Sequence, residues 1–117
     1  AMTDVTGFGL AGHLNAMLKN ADIGAQLSLE NIPLLEGAAT LAAQGIRSSI
    51  WAANRAAVIA PIGDTPAEIL LFDPQTAGGL LAAIPAAQAG STLTQLKNIG
   101  IPAAQIGEIT AKTGITA

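Results

Sequence analysis

Apolar residues recur at helical spacing near the start of the chain and then switch to strict alternation. Leu10, Leu14 and Leu18 stand four residues apart, which places them on one face of an amphipathic helix. Residues 23–30 alternate apolar and polar side chains, the period of a strand with one buried face. The first thirty residues therefore predict a helix followed by a half-buried strand.

Capping residues and helix breakers predict three more helices. Serines precede two of the segments, and glycine or proline follows each of them. The predicted helices are a short one ending near Gly45, one over residues 48–60 with Ser48 or Ser49 as cap and Pro61 as stop, and one over residues 92–100 with Ser91 as cap.

Continuous apolar runs predict the other strands. Residues 68–73 and 80–85 are candidates for buried strands, and the short glycine-containing loop between them predicts antiparallel pairing. A last strand is predicted over residues 103–111. The expected fold is a single α+β domain over residues 1–117, with a mainly antiparallel four-stranded sheet and helices on one face.

Composition narrows the classes of function. Half of the 117 residues are apolar, 11% are charged, and the net charge is −3 with only five scattered basic residues, which argues against nucleic-acid binding. The absence of cysteine excludes disulfides, thiolate zinc sites and a cysteine nucleophile within the chain. No apolar run is long enough for a membrane span and no signal peptide is recognisable, so we expect a cytoplasmic protein.

The sequence "TDVTGFGLAGHL" (Thr3–Leu14) carries more polar and flexible residues than a helix start requires. Asp4 or Thr6 can cap the first helix, which is the common role of such residues. Asp4 can instead bind Mg²⁺, an ion that takes one or two protein carboxylates together with substrate phosphates. Both roles for Asp4 stay open at this point.

The backbone amides after Asp4 extend the second interpretation. Those of Thr6, Gly7, Phe8 and Gly9 would lie at the positive end of the first helix, where anions are stabilised. The glycines lower helix propensity by about 1 kcal/mol each against alanine, a cost that close approach of a ligand or of a neighbouring element would explain.

A second motif, "FDPQTAGG", spans Phe72–Gly79. A hairpin loop turned by proline and glycine explains its composition. The alternative places Asp73, Gln75 and Thr76 at the rim of a binding site. The residues alone favour the loop, and the role of this segment stays open.

Four other residues are assigned structural roles. His13, the only histidine, is expected to be partly buried and hydrogen-bonded. Asn54 and Arg55 are expected at the surface or in helix contacts, and Trp51 in the core or an interface. The glycine spacing of residues 7–12 resembles a dinucleotide-binding loop, but no strand precedes it and no ribose-binding acid follows in a βαβ unit.

The two motifs, in this order, resemble the C-terminal domain of selenophosphate synthetases, also called selenide, water dikinases. The segments "IPLLEGAATLAAQGI" and "AAQIGEI" are similar as well, so the resemblance covers nearly the whole chain. The wider family of ATP-using synthetases includes aminoimidazole ribonucleotide synthetase. Its members share a Thr-Gly-x-Gly-Leu helix start, which Thr6, Gly7, Gly9 and Leu10 match, and an α+β C-terminal domain.

The resemblance implies ATP-dependent phosphorylation of selenide to selenophosphate, with AMP and orthophosphate as products and Mg²⁺ as cofactor. It carries Asp4 over as a metal ligand and places Thr6, Gly7 and Gly9 beside the nucleotide. The nucleotide loop, the catalytic lysine, the cysteine or selenocysteine and the chief dimer contact belong to an N-terminal domain, so no catalytic residue is assigned here. A homodimer through that domain, and no activity of this chain alone, are therefore expected.

Two alternatives remain beside this interpretation. One is a sibling ATP-dependent synthetase that acts on another nucleophile, and the other is a non-catalytic interaction domain. Because the chain begins at Ala1, just before its most informative motif, we expect a fragment of a longer polypeptide. The resemblance implies that this fragment is the C-terminal half of a two-domain enzyme.

Overall fold

The computed structural model describes residues 1–117 as an α+β chain, the class that the sequence predicts. The helices are α1 (Gly9–Leu18), α2 (Ala38–Ala43), α3 (Trp51–Ala56), α4 (Pro66–Leu70) and α5 (Ala86–Asn98). The strands are β1 (Met2–Asp4), β2 (Gly24–Leu27), β3 (Leu80–Ala82), β4 (Gly107–Thr110) and β5 (Gly114–Thr116). No helix has the length and apolar character that a bilayer crossing requires.

The strands form two separate sheets. β1 pairs antiparallel with β3, with Thr3 opposite Leu81. β2 lies between β4, to which it runs antiparallel, and β5, to which it runs parallel. The predicted four-stranded, mainly antiparallel sheet is therefore wrong, because the sequence pattern predicts neither β1 nor β5 and one predicted strand is a helix.

That helix is α4, which occupies the apolar run predicted as a strand over residues 68–73. The Thr65 hydroxyl accepts from the Glu68 amide (3.4 Å), and the Glu68 carboxylate accepts from the Thr65 amide (2.9 Å), with Pro66 at the first helical position. This reciprocal cap favours a helix strongly enough to override the strand propensity of the following residues. The predicted hairpin is consequently wrong as well, since β3 pairs with β1.

The capping box is expected to make the free energy of unfolding depend on pH at values below the ordinary pKa of a glutamate. The pKa of Glu68 lies below its usual value of 4.5, because the Thr65 hydroxyl and then the amides of Thr65 and Gly63 donate to its carboxylate. A lowered pKa in the folded state stabilises the fold above the ordinary value, and this stabilisation is lost as the pH falls through the lowered pKa.

Replacing Glu68 by glutamine is therefore expected to make the loss of stability at acid pH shallower. Urea unfolding followed by Trp51 fluorescence, at about pH 6 and about pH 3, measures it. Glu36→Gln is the matched control, because the exposed Glu36 carboxylate accepts no hydrogen bond. If both variants lose equally less stability between these two pH values than the unmodified protein does, the assignment of the effect to the capping box is wrong.

Helix α5 begins at Ala86, five residues before the predicted cap at Ser91. The Pro85 carbonyl accepts the Gln88 amide (2.9 Å), so proline opens the helix. Ser91 lies inside the helix, where its hydroxyl donates to the Gln88 carbonyl (3.0 Å), so the predicted cap is wrong. None of the residues of α5 is buried, and the helix lies at the periphery.

The core is centred on Leu71, Phe72 and Ile115, which are the largest fully buried side chains. The Trp51 ring meets the Phe72 ring edge-on, with centroids 6.1 Å apart at 87°, and its Nε1 donates to the Ile69 carbonyl (2.8 Å). Trp51 is half-buried against this core, as the sequence predicts. The end of α4 and the residues after it thus form the central support of the chain.

The chain exposes more surface than a compact domain of its mass. Its accessible surface is 7477 Å², whereas the scaling for monomeric proteins gives about 5,800 Å². The overall dimensions are 38 × 34 × 21 Å, and only 17 of the 117 residues are buried. The most exposed large apolar side chains are those of Ile59, Leu35, Leu80 and Ile99. A surface excess of this size is about twice the area that one partner contributes to a standard protein–protein interface.

Candidate functional site

The two sequence motifs meet in space. The loop from Asp4 to Gly9 joins β1 to α1, and the loop from Phe72 to Gly79 joins α4 to β3. The Val5 amide donates to the Gly79 carbonyl (2.9 Å), and the Gln75 amide donates to the Thr6 carbonyl (3.1 Å). The first bond extends the β1–β3 ladder and the second joins the loops beyond it, so the two motifs form one structural unit.

Gly9 allows the start of α1 to sit directly on the second loop. Its φ is +72°, and a Cβ there would lie 2.8 Å from both the Leu71 carbonyl oxygen and the Phe72 carbonyl carbon. The Ala11 amide then donates to Leu71 O (2.9 Å). A side chain at position 9 would separate these backbones, which explains the glycine in physical terms.

The helix start is capped by this backbone contact and by no side chain. Phe8 precedes the first helical residue and makes no side-chain cap. The expectation that Asp4 or Thr6 caps α1 is therefore wrong, because the Leu71 carbonyl takes one of the amides that a capping side chain would serve.

His13 fastens the first loop from inside α1. Its Nε2 accepts from the Thr6 amide (3.0 Å) and lies 3.1 Å from the Thr6 hydroxyl, and its ring is 5.6 Å from that of Phe8. Accepting an N–H requires Nε2 to be unprotonated, so the neutral ring carries its proton on Nδ1. The predicted half-buried, hydrogen-bonded histidine is confirmed.

Replacing His13 by leucine is expected to lower the free energy of unfolding by about 1–3 kcal/mol, because the half-buried Thr6 amide loses its acceptor. Urea unfolding followed by Trp51 fluorescence measures the change. Thr6→Val is the matched control, since it removes the hydroxyl and keeps the hydrogen bond from the backbone amide of residue 6 to His13. If Thr6→Val lowers the free energy of unfolding as much as His13→Leu does, the hydrogen bond from the Thr6 amide to His13 is not the stabilising contact.

Asn54 joins the two loops from α3. It is 7% exposed, and its Nδ2 donates to the Gly7 carbonyl (2.8 Å) and to the Phe72 carbonyl (3.1 Å). The expectation of a surface or helix-contact residue missed this role. A lone asparagine inside an apolar helix carries no sequence signal of its partners, because both acceptors are backbone atoms distant along the chain.

Asp4 is exposed at the end of β1. Its register partner is Leu80, so the two side chains share the outer face of the β1–β3 sheet, where Leu80 is exposed as well. The Asp4 carboxylate accepts no hydrogen bond from the chain; only its backbone carbonyl accepts, from the Thr3 hydroxyl. The carboxylate is therefore available to a ligand.

The chain offers no complete protein cage for a metal ion. No group of three or more histidine or acidic side chains could hold one. A single available carboxylate fits Mg²⁺ of the kind that keeps waters and substrate phosphates as its other ligands, and does not fit an ion held by protein side chains alone.

The three residues expected beside a nucleotide differ in what their amides do. The Thr6 amide donates to His13 and the Gly9 amide to the Thr6 carbonyl (3.1 Å). The amides of Gly7 and Phe8 donate to no acceptor within the chain. Nothing lies within 4 Å of the Cβ position at Gly7. Two adjacent N–H groups thus remain for an external acceptor.

The second loop is half-buried at Asp73 and Gln75 and exposed at Thr76. The Gln75 side chain donates to the Asp73 carbonyl (3.4 Å) within the same loop. Gly78 lies so close to the Val5 carbonyl that a Cβ would overlap it. The loop therefore supports the first motif through its backbone, and a rim role for its side chains stays a prediction.

Comparison with known families matches the whole chain. Residues 1–117 match the family described as AIR synthase related protein, C-terminal domain. The match covers both motifs and all of the elements described above.

Comparison with curated proteins finds relatives that are named selenide, water dikinase. The protein of Cronobacter sakazakii is 43% identical over 97% of this chain and 33% of its own length. That of Myxococcus xanthus is 42% identical over 98% of this chain and 34% of its own length, and that of Agathobacter rectalis 39% over 98% and 35%. The chain spans about a third of the length of these curated relatives.

Proposed function

This chain belongs to the family of AIR synthase related proteins, C-terminal domain, and from this membership we propose that it is the C-terminal domain of a longer two-domain enzyme. The proposed enzyme uses ATP and water to phosphorylate selenide, and its products are selenophosphate, AMP and orthophosphate. The relatives named selenide, water dikinase support this choice of reaction, since they share 39–43% identity with nearly all of the chain.

The excess of exposed surface supports a larger polypeptide. About 1,600 Å² more is accessible than a compact monomer of this mass would show. Packing against the remainder of the enzyme would cover such an area. We place the residues that react with selenium in that remainder, since this chain lacks cysteine. The family resemblance places the homodimer contact there as well. The same lack favours a cytoplasmic location.

The observation that carries the proposed site is the junction of the two loops. It leaves the unpaired Asp4 carboxylate and the unpaired amides of Gly7 and Phe8 in one short segment. A carboxylate alone repels a polyphosphate, whereas free amides at a helix start attract one. Asp4 as a ligand of Mg²⁺ would resolve this opposition, because the cation would supply positive charge that compensates both the carboxylate and the phosphates.

Each residue of the segment receives a defined task in this proposal. Asp4 supplies one carboxylate oxygen to Mg²⁺, which neutralises charge on the phosphates when it is bound. Gly7 and Phe8 donate their N–H groups to phosphate oxygens. Thr6 and Gly9 are proposed to lie beside the nucleotide, with their own amides holding the loop in shape.

The reaction can be tested with the complete polypeptide that carries this chain. Incubation with Mg²⁺, ATP and selenide is expected to give selenophosphate, seen by phosphorus NMR, and AMP in equal amount. This chain alone is expected to form neither product. ATP turnover that ignores selenide and responds to an amidine substrate would favour a sibling synthetase, and no turnover with either would favour a non-catalytic domain.

A further inference from the structure

Asn54 is the only polar residue among the buried residues of the chain. It lies on α3, outside both motif loops, and donates from one amide nitrogen to Gly7 O (2.8 Å) and Phe72 O (3.1 Å). No other side chain forms hydrogen bonds to both loops. A buried polar side chain that donates hydrogen bonds to two loops fixes the distance between them more tightly than apolar packing would.

The chemistry of the partners fixes the orientation of this side chain. Both acceptors are carbonyl oxygens, which only the NH₂ end of an amide can serve. Its two hydrogens can serve one carbonyl in each loop, and releasing either leaves an acceptor unpaired that is buried at Phe72 and part-buried at Gly7.

The bond to Gly7 also determines the direction of the next amide. The Gly7 carbonyl and the Phe8 N–H belong to one planar trans peptide, in which the C=O and N–H point in opposite directions. Holding the Gly7 oxygen inward against Asn54 therefore turns the Phe8 N–H outward. This N–H has no acceptor within the chain.

Helix α3 is itself held on the second loop. The Arg55 guanidinium lies 4.9 Å above the Phe72 ring and donates to the Ile62 carbonyl (2.8 Å), and the Trp51 ring meets Phe72 edge-on. Asn54 thus projects from a support that is already anchored beside one of its two acceptors.

We propose that Asn54 is a positioning residue, which clamps the Asp4–Gly9 loop to the Phe72–Gly79 loop and aims the Phe8 N–H at an anionic ligand. Given the function proposed above, that ligand is the phosphate chain of Mg²⁺-ATP. The clamp itself needs no ligand and can be observed without one.

The kinetic test uses Asn54→Ala in the complete polypeptide, with Ser91→Ala as the control. Both variants remove a helix side chain that donates to a backbone carbonyl, but Ser91 lies on the peripheral helix α5 and forms no hydrogen bond to either loop. Asn54→Ala is expected to raise the KM for Mg²⁺-ATP about tenfold, and Ser91→Ala to leave it within about twofold. An unchanged KM in Asn54→Ala, or equal rises in both variants, would overturn the positioning role.

Hydrogen exchange tests the clamp independently of catalysis. Without ligand, Asn54→Ala is expected to speed exchange in residues 4–11 and 72–79 together, whereas Ser91→Ala leaves both segments protected. If Asn54→Ala does not fold, the unmodified protein labelled with ¹⁵N-asparagine decides: both Nδ2 hydrogens of Asn54 should exchange slowly. Exchange at the rate of a free amide would overturn the clamp. Absence of selenide-dependent turnover would refute the proposed function and leave this test intact.

Discussion

Asp4→Asn is expected to lower selenide-dependent AMP formation by the complete polypeptide more than about 100-fold. Replacing a residue that hydrogen-bonds to a metal ligand lowers metal affinity or activity by about 10–100-fold. Removing the charge of the ligand itself should therefore lower activity by more than this. The fold should not change, because the Asp4 carboxylate is exposed and forms no hydrogen bond within the chain. The rate of AMP formation at several Mg²⁺ concentrations is the measurement.

Asp22→Asn provides the control for net charge, since it makes the same chemical change at an exposed turn beyond the other end of α1. Its rate should equal that of the unmodified enzyme. Unaltered rate and Mg²⁺ dependence in Asp4→Asn would show that this carboxylate does not bind the metal. Equal losses in both variants would point to a general effect of charge.

The regular parts of the fold follow from local sequence. Helix α1 and strand β2 lie where periodicity predicts them, because each buries one face against a common core. The apolar residues of helix α4 predict a strand, although Thr65 and Glu68 stand at capping-box spacing at its start. The apolar run alone is ambiguous between a buried strand and a buried helix, and the capping pair resolves it.

The long-range pairings could not be predicted in the same way. Strand β1 is three residues long, and β3, on which it pairs, lies more than seventy residues away along the chain. Strand β5 pairs parallel with β2 across a similar separation. Such short strands carry almost no period, and their partners are selected by the packing of the whole chain.

The candidate site shows the same contrast between features that are local in sequence and contacts that are distant in sequence. Both motifs stand out in the sequence because glycine and polar residues interrupt apolar segments. Their contact does not, since it depends on backbone bonds such as Gln75 to Thr6. Asn54 carries no local signal at all, yet it is the one side chain that forms hydrogen bonds to both motifs. Sequence thus locates the binding loops, and the structure identifies what supports them.

Gly9 is a sensitive backbone position of the site, because the start of α1 rests there on the second loop. Gly9→Ala is expected to lower the free energy of unfolding by roughly 2–5 kcal/mol. Part of the cost is the left-handed backbone, with φ at +72°, which disfavours any Cβ. The rest is overlap, since the new Cβ would lie 2.8 Å from the Leu71 oxygen and the Phe72 carbonyl carbon. Backbone atoms of the core cannot yield as a flexible side chain would.

Gly45→Ala separates these two contributions. Gly45 has a φ of +84°, but no atom lies within 4 Å of its Cβ position. Its replacement should therefore cost only the conformational part, about 1–2 kcal/mol. Urea unfolding of both variants, followed by Trp51 fluorescence, gives the difference directly. If Gly9→Ala costs no more than Gly45→Ala, the start of α1 does not rest on the Leu71–Phe72 backbone, and the two loops are not held as one unit.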